Sequence, residues 1–228
     1  DKTYRITASV NIPTGNTLTI QPGTIVKFNG NFALNVRGTL IADGTSSQPI
    51  QFKSNTAATW DKIFFDDLNI DAQADVDGNY ISGSILRYVN IESSSGGIDC
   101  TVATPYLSHI NLDGGGITCS LGATPIWFLD NEVIGNAAFT GAGNAYRNMV
   151  SGGLSISGAS IAEDNDVTGV LTLGSGIARR NNVGGLTIGG SGGSLENNTI
   201  SGGNVSLGGS FNVVGNTING SLTTGNGA

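Results

Sequence analysis

The sequence predicts an all-β, single-domain protein: a parallel β-helix with three short strands per coil of about 16–19 residues. Three observations predict it. An Asn recurs at Asn131, Asn148, Asn165, Asn181, Asn198 and Asn216, in steps of 17, 17, 16, 17 and 18 residues. Two positions after each stands a β-branched residue: Val133, Val150, Val167, Val183, Ile200 and Ile218. Apolar–Ser/Thr–apolar triplets then follow, as in Leu154-Ser155-Ile156, Leu171-Thr172-Leu173, Leu186-Thr187-Ile188 and Val205-Ser206-Leu207. Their period of two is that of a strand with one buried face. A helical repeat is excluded, because Gly interrupts every candidate helix.

Each recurrence has a physical reason. Stacked coils lie about 4.8 Å apart, so each Asn amide can donate to the amide carbonyl of the next. An internal Asn ladder of this kind satisfies polar groups that the turn would otherwise bury unpaired. A third apolar position is expected at Tyr146, Ile161, Ile177, Leu195 and Phe211. These regular coils span about 127–228.

The N-terminal coils, 1–92, repeat the scheme less regularly. Leu18-Thr19-Ile20 and Leu34-Asn35-Val36 stand 16 residues apart, and Leu40, Ala42, Ile50, Phe52, Ile63 and Phe65 continue the alternation. Residues 66–84 break it and read as a loop. Val89-Asn90-Ile91 restores it. No Pro/Ser linker divides the chain, so 1–228 is read as one domain.

Composition agrees. The chain holds 36 Gly, and only 12% of residues are charged. Disordered chains are charge-rich, and collagen needs a Gly-x-y period that is missing here. The net charge is −7, with no basic patch to follow a phosphate backbone, so nucleic acid is not an expected partner. No apolar run is long enough for membrane insertion. With neither signal peptide nor initiating Met, the chain reads as a mature or excised segment. It closes on TTGNGA without an amphipathic capping helix, which predicts self-association through coil ends or a sheet face.

The stretch LTIQPGTIVKFNGNFALNVRGTLIADGTSSQPIQFKS, followed by WDKIFF and SGSILRYVNIE, resembles secreted bacterial and archaeal surface proteins of the right-handed parallel β-helix superfamily. The match covers roughly residues 12–92. It departs from the pattern at Trp60-Asp61-Lys62-Ile63, where two glycines commonly follow the Trp. The resemblance implies a right-handed, pectate-lyase-like fold and an extracellular or cell-surface location. The superfamily holds lyases, hydrolases, phage tailspikes and surface proteins, so it does not imply one function.

Catalysis in this superfamily uses paired carboxylates, or a basic residue with bound calcium, on a groove along one sheet. The outward triplet column here is expected to be Thr19, Asn35, Asp99, Thr118, Ala138, Ser155, Thr172, Thr187, Ser206 and Thr223. It carries no Asp pair, no Lys or Arg and no aromatic ring, so no catalytic residues are assigned. His109, the single His, reads as a turn residue before Ile110. The residues before the ladder Asn alternate in charge: Asp130, Arg147, Asp164 and Arg180. One position earlier run Glu163, Arg179 and Glu196. They read as a surface ion ladder that sets coil register. The alternative is an Arg–carboxylate active site of Asp164, Arg180 and Arg147.

Asp71, Asp75, Asp77 and Asn79 offer oxygen ligands at calcium-like spacing, but the neighbouring Asp66 and Asp67 make a solvated acidic loop the primary reading. No cofactor is assigned, and calcium is the alternative. Cys100 and Cys119 lie 19 residues apart at one inward position, as a thiol stack or, more in keeping with secretion, a disulfide. Asn197, Asn204 and Asn219 occupy N-x-S/T sequons, the acceptor pattern for glycosylation.

These observations favour a non-catalytic structural or adhesive module of a cell surface, in which coils assemble as a sheath or filament and surface glycans are partners. A polysaccharide lyase or hydrolase is the alternative. An ice- or glycan-binding module is the third reading, on the strength of the Ser/Thr column.

Overall fold

The computed structural model describes residues 2–225; Asp1 and residues 226–228 of the closing TTGNGA lie outside the described residues. The chain winds as a parallel β-solenoid with no helix among the described residues. Each coil contributes one short strand to each of three parallel sheets. The first sheet begins with Thr3–Ile6 and Ile25–Phe28, the second with Val10–Ile12 and Leu34–Val36, and the third with Thr17–Ile20 and Thr39–Asp43. Later strands run through a corner and serve two sheets, as Ile85–Glu92 does, pairing with Ile41–Asp43 and then with Ile50–Lys53.

Register explains the core. In the second sheet the buried Leu154, Leu171, Leu186 and Val205 follow one another coil by coil. In the first sheet Val133, Val150, Val167, Val183 and Ile200 do the same, and each is buried. Each such side chain contributes about 1.5–3 kcal/mol by leaving water. Trp60 is fully buried near the wide N-terminal end, stacked 4.2 Å from Phe28, and its Nε1 donates to the Glu92 carbonyl at 2.8 Å. Around the first coils, Val10, Leu18, Ile20, Val26, Phe28 and Leu34 line an apolar cavity of about 340 Å³.

Two expected columns are corrected. Thr19 does not belong with Asn35; it pairs with Ile41 in the third sheet. Asn35 instead sits between Asn11 and Phe64. The 16-residue match misled because these coils are longer: Asn35 and Asn11 are 24 residues apart. In the third sheet, Tyr146, Ile161 and Ile177 face outward and are half-buried, while Ala145, Ala162 and Ala178 fill the interior. Leu195 does point inward. Alanine carries too weak an apolar signal to mark a core column, so the bulkier neighbour set the alignment.

Residues 66–84 do leave the coil. They form a small antiparallel pair, Gln73–Ala74 with Tyr80–Ser82, folded back over the outer face of the third sheet. There Ala72 packs with Ile85, Tyr106 and Leu129 in a second apolar cluster. Tyr106 Oη donates to the Gly78 carbonyl at 2.7 Å, and the Thr104 amide donates to Asp71 Oδ1 at 2.7 Å. Gly83 closes the excursion at φ +91°, where a Cβ would stand 2.1 Å from the Asp71 carbonyl oxygen.

Candidate functional site

The corner between the third and first sheets carries the ladder. Asn131, Asn148, Asn165, Asn181 and Asn198 are buried, and Asn216 is half-buried. In each step an Asn Oδ1 accepts from both the backbone amide and the Nδ2 of the Asn one coil earlier. Nδ2 also donates to a third-sheet carbonyl, as Asn165 does to Ala145 and Asn181 to Ala162. The Oδ1 and Nδ2 of each buried amide are hydrogen-bonded, so the column is structural.

The tight turn holds the residue before each of Asn131, Asn148, Asn165, Asn181 and Asn198 at positive φ, as it does Tyr88 and His109 before Val89 and Ile110: all seven lie between 49° and 57°. That conformation disfavours side chains such as Tyr and Arg, and the ladder sustains it. The turn lifts these side chains into one external column, which brings His109 into line with the charges. The His109 ring lies tilted against Tyr88 with centres 4.3 Å apart, its Nδ1 lies 2.7 Å from Ser108 Oγ, and its Nε2 is 4.0 Å from Asp130 Oδ2. Arg147 donates to both oxygens of Asp130 at 2.6 and 2.8 Å. Arg180 donates to both oxygens of Asp164 at 2.8 and 2.9 Å and also to Glu163. Arg179 Nε lies 3.5 Å from Glu163. The hydrogen bonds from Arg180 hold the Asp164 carboxyl below the usual range, and Asp130 raises the already high pKa of Arg147. The alternation of signs therefore becomes actual coil-to-coil pairing.

The second sheet's outer column runs Asn35, Phe64, Asp99, Thr118, Ala138, Ser155, Thr172, Thr187, Ser206 and Thr223, headed by Asn11. The expectation that this face has neither a cation nor a ring is corrected. Lys62 Nζ donates to Asp99 at 2.8 Å and stands 5.7 Å from the Phe64 ring centre. That hydrogen bond raises the Lys62 pKa, so the ammonium stays charged at neutral pH. The three residues come from an irregular coil, with Lys62 and Asp99 37 residues apart, so no period exposes them.

Other candidates separate. Asp75 accepts from the amides of Asp77 and Asn79 and from Asn79 Nδ2, which closes its own loop and lowers its pKa. Asp71 turns to Thr104. Among the described residues no three His, Cys, Asp or Glu side chains converge as metal ligands, so the structure does not gather Asp71, Asp75 and Asp77 into a calcium site. Cys100 and Cys119 pair across adjacent coils with both side chains buried, and their sulfurs are joined at 2.09 Å. Asn197, Asn204 and Asn219 are exposed.

The outer face of the third sheet was missed altogether. Where the excursion ends, Trp127 and Tyr146 lie nearly parallel with centroids 6.3 Å apart. Gly78 sits against Trp127, close enough that a Cβ there would meet the indole at 2.7 Å. Asn144, Ile161, Glu163, Ile177 and Arg179 continue this face along the axis. The available signal was the alternation Tyr146–Ala145 and Ile161–Ala162, in which the small residue marks the inside.

No family model matches the chain, and no curated protein does. Among solved structures it is similar to a mannuronic acid specific polysaccharide family 6 lyase from human gut microbiota, at 15% identity and a TM-score of 0.43. The match covers 98% of this chain and 66% of that one, so the chain spans just under two thirds of that lyase's length.

Proposed function

We propose that this chain is a non-catalytic, extracellular β-solenoid module with a structural or adhesive role at a cell surface. One observation carries the reading: Lys62 on the second sheet and Asp164 at the ladder corner are each hydrogen-bonded to an opposite charge, Asp99 and Arg180, that opposes proton transfer. Lys62 is held protonated by Asp99, and Asp164 is held ionised by Arg180. A general acid or base works best with a pKa near the working pH, and these shifts run the other way. The joined cysteines suit an oxidising compartment.

The test is incubation with alginate, pectin, a glycosaminoglycan and neutral glucans, with and without calcium. Ultraviolet absorbance would follow unsaturated products, and a reducing-end assay would follow hydrolysis. No product is expected. Release of product that disappears in Asp164→Asn, Arg180→Ala or Lys62→Ala would overturn the reading in favour of a polysaccharide lyase or hydrolase.

A further inference from the structure

We propose that the outer face of the third sheet, beside the 66–84 excursion, binds a neutral polysaccharide chain along the solenoid axis. The inference rests on the adhesive reading and names its ligand.

The floor of this face is built rather than incidental. Trp127 and Tyr146 present nearly parallel rings one coil apart, and the excursion packs against the first of them. Tyr106 and Asp71 tie the excursion to the sheet, so it forms a fixed wall at one end of the rings. The stacked C–H faces of a sugar suit such half-buried rings, whose quadrupole and apolar area both favour them. Next to the rings stands Asn144, whose amide supplies both a donor and an acceptor for hydroxyl groups. A solenoid repeats its outward groups at every coil, about 4.8 Å apart. A repeating surface is matched by a repeating, extended ligand.

Charge selects among polysaccharides. The arginines beside the rings already lie against carboxylates: Arg147 against Asp130, Arg179 against Glu163, and Arg180 against Glu163 and Asp164. The chain carries a net charge of −7. A uronate polymer would meet repulsion without a released cation, whereas a neutral chain loses nothing by approaching.

Tryptophan fluorescence reads this site selectively, because the chain has two tryptophans and Trp60 is fully buried. Soluble neutral hexasaccharides of glucose, xylose and mannose would be titrated against the full chain, beside oligomannuronate and oligogalacturonate. At least one neutral series is expected to change the Trp127 emission, with acidic oligosaccharides binding at least about tenfold more weakly. Tyr146→Ala and Asn144→Ala, read by fluorescence, and Trp127→Ala, read by calorimetry, should each weaken binding by up to about tenfold. Thr187→Ala, on the second sheet, should leave it unchanged. Circular dichroism and melting of each variant separate loss of the site from loss of the fold.

Failure of every neutral oligosaccharide to bind, tighter binding of the acidic ones, or binding that survives Trp127→Ala and Tyr146→Ala together would overturn the proposal. So would self-association abolished by Trp127→Ala without any sugar binding, which would assign the face to a second copy. Product formation in the same samples would defeat the non-catalytic reading while leaving the binding site to stand or fall on the titration.

Discussion

Asn165 donates to Asn181 twice: its backbone amide and its Nδ2 reach the same Oδ1, at 3.0 and 2.9 Å. That shared oxygen couples one coil's turn to the next coil's side chain. It makes the ladder a chain of dependent bonds rather than a row of independent ones.

Asn165→Leu should therefore cost about 1–3 kcal/mol, because the Asn148 and Asn181 amides lose a buried partner. Asn216→Leu should cost less, since Asn216 is only half-buried. Urea unfolding of both variants measures the difference. Equal costs would mean that burial does not govern the ladder.

The corner predicts an acid limb. The Asp164 carboxyl lies below its ordinary range in the folded state because Arg180 donates to it. A depressed carboxyl contributes stability that is present above the unfolded pKa, about 3.9, and lost as pH falls through the folded value. Asp164→Asn should shallow the loss of stability below about pH 4. At pH 7 its effect should be small, because Arg180 and Asp164 are 46% and 40% exposed and solvent screens the pair. Melting temperature against pH in low and high salt tests both statements.

Mass analysis should show two hydrogens gained on reduction, from the bond between Cys100 and Cys119. Replacing both by Ser should cost about 3 kcal/mol, on the chain-entropy estimate for a loop of this length. The cysteines are separated by 19 residues. An unchanged mass would remove both the bond and its support for an oxidising compartment.

Gly83→Ala should detach the excursion, since its Cβ would stand 2.1 Å from the Asp71 carbonyl oxygen at φ +91°. Strain of this kind is of order 1–3 kcal/mol. The expected signature is faster proteolysis within 66–84 and a changed Trp127 emission, with the ladder coils still folded by circular dichroism. Cleavage at the wild-type rate would show that the turn accommodates a side chain.

Self-association is the outcome expected from the apolar cavity lined by Val10, Leu18 and Ile20. Sedimentation velocity across a range of concentrations should show growing species. Leu18→Asp should suppress them, and a monomer at all concentrations would count against a self-assembling module.

The sequence by itself determined the solenoid, the ladder and the inward triplets. In the later coils a 16–18-residue step places each residue against its own counterpart, so neighbours in space remain periodic along the chain. Burial of Leu171 and Leu173 around Thr172 follows from alternation alone. The paired Arg147 and Asp130 were legible for the same reason.

Only the tertiary structure decided what lies on the outer faces. Lys62 meets Asp99 across an irregular coil of 37 residues, and Thr19 leaves the column where a 16-residue step had placed it. Gly78 meets Trp127 only because the excursion folds back over the third sheet. Alanines 145, 162 and 178 turn inward and send Tyr146, Ile161 and Ile177 outward. An interior column is constrained by packing on every side and so leaves a pattern in sequence. An exterior contact depends on coil length and loop direction, which a local pattern does not record.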